Sequence, residues 1–160
     1  MLLDLLRHAD AGDPDAWQGP DAARPISDKG RKQSKRLGEH LGTIGYTADA
    51  VITSPRLRAV QTAEIVADRI GTPVTEDERL AGGLDLETVD AIVRDGGDPE
   101  RVMLVGHDPD FSELLSVLCG AAGVTMRKGT FARIEVDRPL RAGAGTLRWL
   151  LPPDALKPAR

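Results

Sequence analysis

With 160 residues, 41% of them hydrophobic, the chain has the length of one domain, 1–160, and needs no disulfide or metal staple. Charged residues of both signs make up 29% and are mixed along the chain, which argues against long-range disorder; the net charge of -4 argues against nucleic-acid binding while leaving room for a local anion site built from arginines. No apolar run reaches the roughly 18 residues that span a bilayer, and the N-terminus lacks the basic and long apolar regions of a signal peptide, so a soluble cytoplasmic protein with no membrane contact is expected.

Leu2 to Leu6 reads as an apolar first strand, interrupted by Asp4 and followed at once by Arg7 and His8. Residues 9–25, rich in Gly, Pro, Asp and Ala, read as a loop. SDKGRKQSKRLGEHLGTIG reads as a helix with Ser27 as N-cap, Leu37, Leu41 and Ile44 at helical spacing, and Gly45 as its stop. His40 is expected on the surface of that helix. AVITS is a short β-branched strand, and Ser54-Pro55 then reads as the cap and first residue of a second helix lined by Ala59, Ala63, Val66 and Ile70. PVTE is a further strand, and Leu86, Val89 and Val93 mark a short helix ended by Gly96-Gly97.

RVMLVG is a continuous apolar run, the pattern of a strand buried on both faces. DPDFSELLSVLCG is a helix with Asp108 as N-cap, a stripe of Phe111, Leu114, Leu115 and Leu118, and Gly120 as terminator. Its Cys119 is the one cysteine, has no basic neighbour, and reads as a small buried hydrophobe. FARIEVD alternates apolar and polar residues and TLRWLL does so less strictly; both read as strands. Strands alternating with helices predict an α/β fold, a three-layer α/β/α sandwich. Its sheet is mostly parallel, with an antiparallel edge from the two late strands.

Three segments share one design. MLLDLL leads to Arg7-His8, AVITS to the helix carrying Arg56 and Arg58, and RVMLVG to His107 and Asp108-Pro109. Each places basic residues at the carboxyl end of a strand, where open α/β sheets bind ligands, beside helix N-termini that favour anions. Singly, each of these residues is as well explained by a solvated charge or a structural histidine. Together, at equivalent strand ends, they describe an anion pocket. Two histidines without a carboxylate or thiolate cluster make a poor zinc set, and the arginines would repel a cation, so no metal and no cofactor are expected.

At this point the motifs resemble a known family. LLRHADAG is similar to the Arg-His-Gly motif of the histidine phosphatase superfamily, with Ala9 in place of the glycine. SPRLRAVQTAEIV is similar to that family's Ser-Pro-x-x-Arg-Ala-x-x-Thr-Ala motif. VGHDPDFSELLSVLCG, MRKGTFARIEVD and LRWLLPP resemble the small SixA-like phosphohistidine phosphatases of that superfamily. The resemblance implies a phosphoglycerate mutase-like fold. It makes His8 the nucleophile, Arg7 and Arg58 the ligands of the phosphoryl oxygens, and His107 the group that completes the pocket. Arg58 is preferred to Arg56 because the family places its arginine directly before the alanine, here Ala59; Thr62, one turn on, shares its face and can help orient it.

Larger relatives carry a lid insertion and a glutamate general acid after the third strand. Here that stretch is TEDERLAGGLDLE, with Ala81, Gly82 and Gly83 where the acid is sought and Glu78 and Asp85 as nearby substitutes. A missing acid matters least when the leaving group is the nitrogen of phosphohistidine, and a missing lid leaves the pocket open to a protein surface. The expected activity is therefore metal-independent hydrolysis of phosphohistidine on a protein through a phosphohistidine intermediate. The alternative is a phosphomonoesterase acting on a small metabolite, a sugar phosphate or nucleotide. A non-catalytic phosphoryl-binding module would lack one of the four core groups, and a histidine phosphotransfer domain would be a helical bundle.

Overall fold

The computed structural model describes residues 1–159. Its strands are β1 (Leu2–Arg7), β2 (Ala50–Thr53), β3 (Val74–Glu76), β4 (Arg101–Gly106), β5 (Phe131–Glu135) and β6 (Thr146–Leu151). Its helices are α1 (Asp28–Thr43), α2 (Leu57–Ile70), α3 (Leu86–Asp95) and α4 (Asp110–Cys119). One sheet takes all the strands in the order β3-β2-β4-β1-β5-β6. The pairs β3–β2, β2–β4 and β4–β1 are parallel, and β1–β5 and β5–β6 are antiparallel. The expected mostly parallel sheet with an antiparallel edge is therefore present.

Period-two alternation distributes the strand side chains to two cores. Leu3 and Leu5 of β1, Val102 and Leu104 of β4 and Ile52 of β2 pack with α3 and α4. Leu6, Met103, Val105 and Val51 point the other way and pack with α1 and α2. The sheet is thus the middle layer of three. Register then levels the strand ends: Arg7 pairs with Gly106, and Thr53 with Val105. Everything that follows these residues emerges along one edge.

Asp4 is fully buried on the α1/α2 side of β1. Its Oδ1 accepts from Arg133 Nε at 2.8 Å, and its Oδ2 accepts from Arg133 Nη2 at 2.9 Å and Tyr46 Oη at 2.6 Å. Burial pushes the Asp4 carboxyl up, and the guanidinium fork and the phenol oppose that push.

Several boundaries differ from the sequence expectation. Ile44 is the exposed C-cap of α1, so the apolar stripe ends at Leu41. Helix α2 starts at Leu57 with Arg56 as its extended N-cap residue, later than Ser54-Pro55 would place it. The reason is tertiary: the Ser54 amide continues the strand by donating to the Val105 carbonyl at 2.9 Å, and its hydroxyl is engaged elsewhere. Helix α4 starts at Asp110 with Pro109 as the N-cap residue, although the Asp108 carboxylate still accepts from the Ser112 amide and hydroxyl. Cys119 is half-buried rather than buried, and burial still pushes its thiol up. The 9–25 segment holds short 3-10 helices at Pro14–Ala16 and Asp21–Ala23.

Candidate active site

The end of β1 is pinned from both sides. His8 N donates to the Gly106 carbonyl at 2.9 Å, Arg7 N donates to the Thr130 carbonyl at 3.1 Å, and Gly129 N donates to the carbonyls of Arg7 and His8. Helix α1 presses onto the next residues through Gly30, where a Cβ would lie 2.1 Å from the Asp10 carbonyl oxygen, so only glycine fits. Ser27, which caps α1 by accepting from Gly30 N, also donates its hydroxyl to the Asp10 carboxylate at 2.6 Å. Thr62 ties α2 to the same segment: its hydroxyl donates to the Arg58 carbonyl at 2.7 Å and accepts from Ala9 N at 3.0 Å. Thr62 therefore positions backbone, not the Arg58 side chain as expected.

These ties place His8 with only 5% of its surface exposed. Its Nδ1 lies 2.8 Å from the Ala9 carbonyl oxygen. A carbonyl only accepts, so Nδ1 carries the proton and donates it, and Nε2 keeps a free lone pair. Burial above all holds the His8 ring down to about 3, helped by the charges of Arg58 and Arg7. The ring of His107 lies 5.2 Å away, centroid to centroid, and is also held to about 3, first by burial and then by Arg58. Both imidazoles are neutral at physiological pH.

Arg58 is buried, whereas the Arg56 side chain is 37% exposed. Arg58 Nη1 donates to the Asp21 carbonyl at 2.9 Å and Nη2 donates to the Asp21 carboxylate at 3.0 Å. Arg7 Nη1 donates to the Met126 carbonyl at 2.8 Å and lies 3.5 Å from the Asp108 carboxylate. His107 Nε2 lies 2.7 Å from the buried Ser54 hydroxyl. What each group leaves over is the informative part. Among the described residues, the buried side-chain polar atoms without a partner are Arg7 Nε, Arg58 Nε, His107 Nδ1 and Thr130 Oγ1. Leaving such a group unsatisfied costs about 1–3 kcal/mol. Two of these atoms are arginine N–H donors beside one neutral imidazole, and the guanidinium groups that carry them supply the positive charge and hydrogen-bonding capacity that suit an anion.

The sequence-selected residues Arg7, His8, Arg58 and His107 thus come from the ends of β1, β2 and β4 into one pocket. Glu78 and Asp85 are not bonded to them. Glu78 is exposed on the 3-10 helix Glu78–Ala81, and Asp85 caps α3 by accepting from Thr88 N at 2.8 Å, a bond that holds its carboxyl below the usual range. Neither makes a hydrogen bond or ion pair with the pocket residues. Ser54 and Asp21 are the contributors that sequence reasoning missed. Ser54 had a signal, a hydroxyl residue ending a strand, but it pointed to a helix cap. Asp21 had none. Among the described residues no group of His, Cys, Asp and Glu is arranged to hold a metal ion.

The profile of the histidine phosphatase superfamily (branch 1) matches residues 3–82, half of the chain, including Arg7, His8 and Arg58. The phosphohistidine phosphatase SixA of Escherichia coli is 28% identical over 167 aligned positions, covering 100% of this chain and 99% of that protein. A structure of SixA complexed with tungstate superposes with a TM-score of 0.83 at 26% identity, covering 98% of this chain and 100% of that one. The α-ribazole phosphatase of Shigella flexneri shares the fold, with a TM-score of 0.71 at 19% identity over 94% of this chain and 96% of that one. The motifs, the pocket they build and the matches along the chain agree: this protein belongs to the histidine phosphatase superfamily.

Proposed function

We propose that this protein is a metal-independent phosphatase that removes the phosphoryl group from phosphohistidine on a protein. The observation that carries the reading is the pairing of a neutral His8, its proton held on Nδ1 by the Ala9 carbonyl, with the guanidinium groups of Arg7 and Arg58 and the second imidazole, His107, gathered around it. His8 Nε2 attacks phosphorus, the substrate P–N bond breaks, and its electrons return to the substrate ring. That ring, protonated on its other nitrogen, leaves as a neutral imidazole. Arg7, Arg58 and His107 hold the phosphoryl oxygens throughout, the positioning and charge stabilisation that phosphoryl transfer needs. His8 then carries phosphorus on Nε2 and the proton on Nδ1. Water attacks, the N–P bond breaks, and the neutral ring is restored with phosphate released.

Three features support a P–N substrate. The nitrogen leaving group needs no acid from the enzyme, and the carboxylates sought for that role make no hydrogen bond or ion pair with the site residues, with Asp85 spent on a helix cap. The relative matched over the full length is a phosphohistidine phosphatase. The α-ribazole phosphatase cited above is less similar, at 19% identity. The test is a panel of phosphohistidine protein, phospholysine, phosphoserine and simple alkyl phosphates, compared by kcat/KM. A positioned general acid contributes roughly 10²–10⁴ to ester cleavage, so P–N substrates should be preferred to alkyl esters by about that factor. Comparable values for phosphohistidine and an alkyl phosphate would establish a phosphomonoesterase of small metabolites instead.

A further inference from the structure

Helix α1 is out of keeping with the rest of the chain. The protein is acidic, with a net charge of -4, yet Lys29, Arg31, Lys32, Lys35 and Arg36 crowd two turns of this helix. Lys29, Lys32 and Arg36 follow one another at i, i+3 and i+7, so they share a face. With Gln33 they line a cleft of about 200 Å³ against Pro153 and Lys157, the latter following the 3-10 helix Pro153–Leu156.

This face is continuous with the pocket. The Gln33 side chain accepts from Asp10 N at 2.9 Å, two residues after His8. It also lies beside Gly129, whose amide binds the Arg7 and His8 carbonyls. Lys128, next to Gly129, extends the cationic surface to the pocket rim. The Asp10 carboxyl registers this: the Ser27 hydroxyl lowers it most, and Lys128 and Lys29 lower it further. Lys29, Lys32, Arg36 and Lys128 form no ion pair with a described residue. The carboxylate at the far edge is Asp154, which pairs with Lys157 at 2.8 Å and touches Arg127 at 4.0 Å.

Cations that form no ion pair, along a rise of about 10 Å of helix beside the segment that follows His8, outnumber the nearby carboxylates Asp10 and Asp154 and make a surface for an acidic macromolecule. From the charge complementarity we infer that the α1 face, Lys29, Lys32, Arg36 and Lys128, docks the acidic surface of the phosphorylated protein whose phosphohistidine enters the pocket. The inference rests on the protein-phosphatase reading above and adds the partner's chemistry. A nucleic acid fits less well, because the rest of the protein is acidic and would repel its length. The stripe supplies on-rate and orientation, as complementary rim charges do, and leaves the chemistry to the pocket.

The test uses Lys32→Glu/Arg36→Glu, a double variant remote from the catalytic groups. The probes are a histidine-phosphorylated phosphotransfer domain of net negative charge, a phosphohistidine peptide of net positive charge, and p-nitrophenyl phosphate. At low salt the variant should lose about tenfold in kcat/KM on the acidic domain, with p-nitrophenyl phosphate turnover unchanged as the control for folding. The wild-type rate on the acidic domain should fall with added salt, and the variant's should not. Binding of the unphosphorylated acidic domain, followed by fluorescence anisotropy, should weaken by a similar factor. Equal kcat/KM and equal binding for wild type and variant overturn the inference. So does wild-type binding to duplex DNA or anionic vesicles that the variant loses while its protein substrate is unaffected. If wild type binds the acidic domain in this way but cleaves neither phosphohistidine probe, the docking surface stands and the substrate reading falls.

Discussion

Strand β1 buries charged and titratable groups at two places, and they are handled oppositely. At Asp4 every polar atom is matched: both carboxylate oxygens accept from Arg133, one also from Tyr46, and the guanidinium lies 4.8 Å and 4.6 Å from the Tyr46 and Trp149 ring centroids. At Arg7 and His8, one turn of pleat further on, Arg7 Nε, Arg58 Nε and His107 Nδ1 have no partner at all. Both sites bury an arginine beside other titratable groups. The difference is closure. A closed network stabilises a fold, whereas unpaired buried donors cost stability, and such a cost concentrates at functional sites.

The strongest way to test that contrast is to remove the reactive group from the open site. His8→Ala should lower turnover of p-nitrophenyl phosphate by about four or more powers of ten, as loss of a covalent nucleophile does, with the unfolding midpoint retained. In the wild type, rapid quenching should trap phosphate on His8 in an acid-labile, base-stable form. Near-normal activity in His8→Ala would remove His8 as the nucleophile.

Next comes the donor with the vacant Nε. Arg58→Ala should cost on the order of 10²–10³ in kcat/KM, and Arg56→Ala no more than about threefold, because a solvated charge contributes little. Equal losses would mean that the Asp21 contacts, which both arginines share, matter more than the pocket. The closed network should behave in the reverse sense. Asp4→Asn leaves Arg133 poorly matched inside the protein and should cost about 3 kcal/mol in a urea titration, while kcat of the folded enzyme is unchanged. A drop in kcat there would show that the two sites are coupled.

Ser54 bridges the two behaviours, since its hydroxyl closes one nitrogen of His107 and leaves the other open. Ser54→Ala should lower kcat about tenfold, the cost of one unpaired buried nitrogen, with KM little changed, and Ser54→Thr should restore part of it. A further test concerns pH. His8 and His107 are held near 3 in the fold, below the ordinary 6.5 of an exposed imidazole, so the unfolded chain binds more protons between those values. Stability should therefore be full above about 6.5 and fall as pH drops toward 3. A bound oxyanion favours the protonated rings and should flatten the fall. Unfolding curves across that range, with and without tungstate, check the sign.

The sequence alone determined most of the elements and the convergence of Arg7, His8, Arg58 and His107. Apolar runs such as RVMLVG and helical stripes such as Leu37 and Leu41 encode local periodicity, which does not depend on what the chain meets later. Ending three such strands in basic residues is enough to predict which side chains meet, because parallel strands with crossover helices align their carboxyl ends. The tertiary structure alone decided three things. Ser54 before Pro55 satisfies a helix-cap pattern, but the pairing of Thr53 with Val105 carries its hydroxyl to His107, 53 residues on in sequence. Asp21 lies in a loop with no periodicity to read, and only the folded loop brings it to Arg58. The vacancy of Arg7 Nε and Arg58 Nε is likewise invisible in a string of letters, since an arginine's chemistry is the same wherever it stands. Hydrogen-bond satisfaction belongs to the assembled neighbourhood, and there Asp4 is closed while His8 stands among open donors.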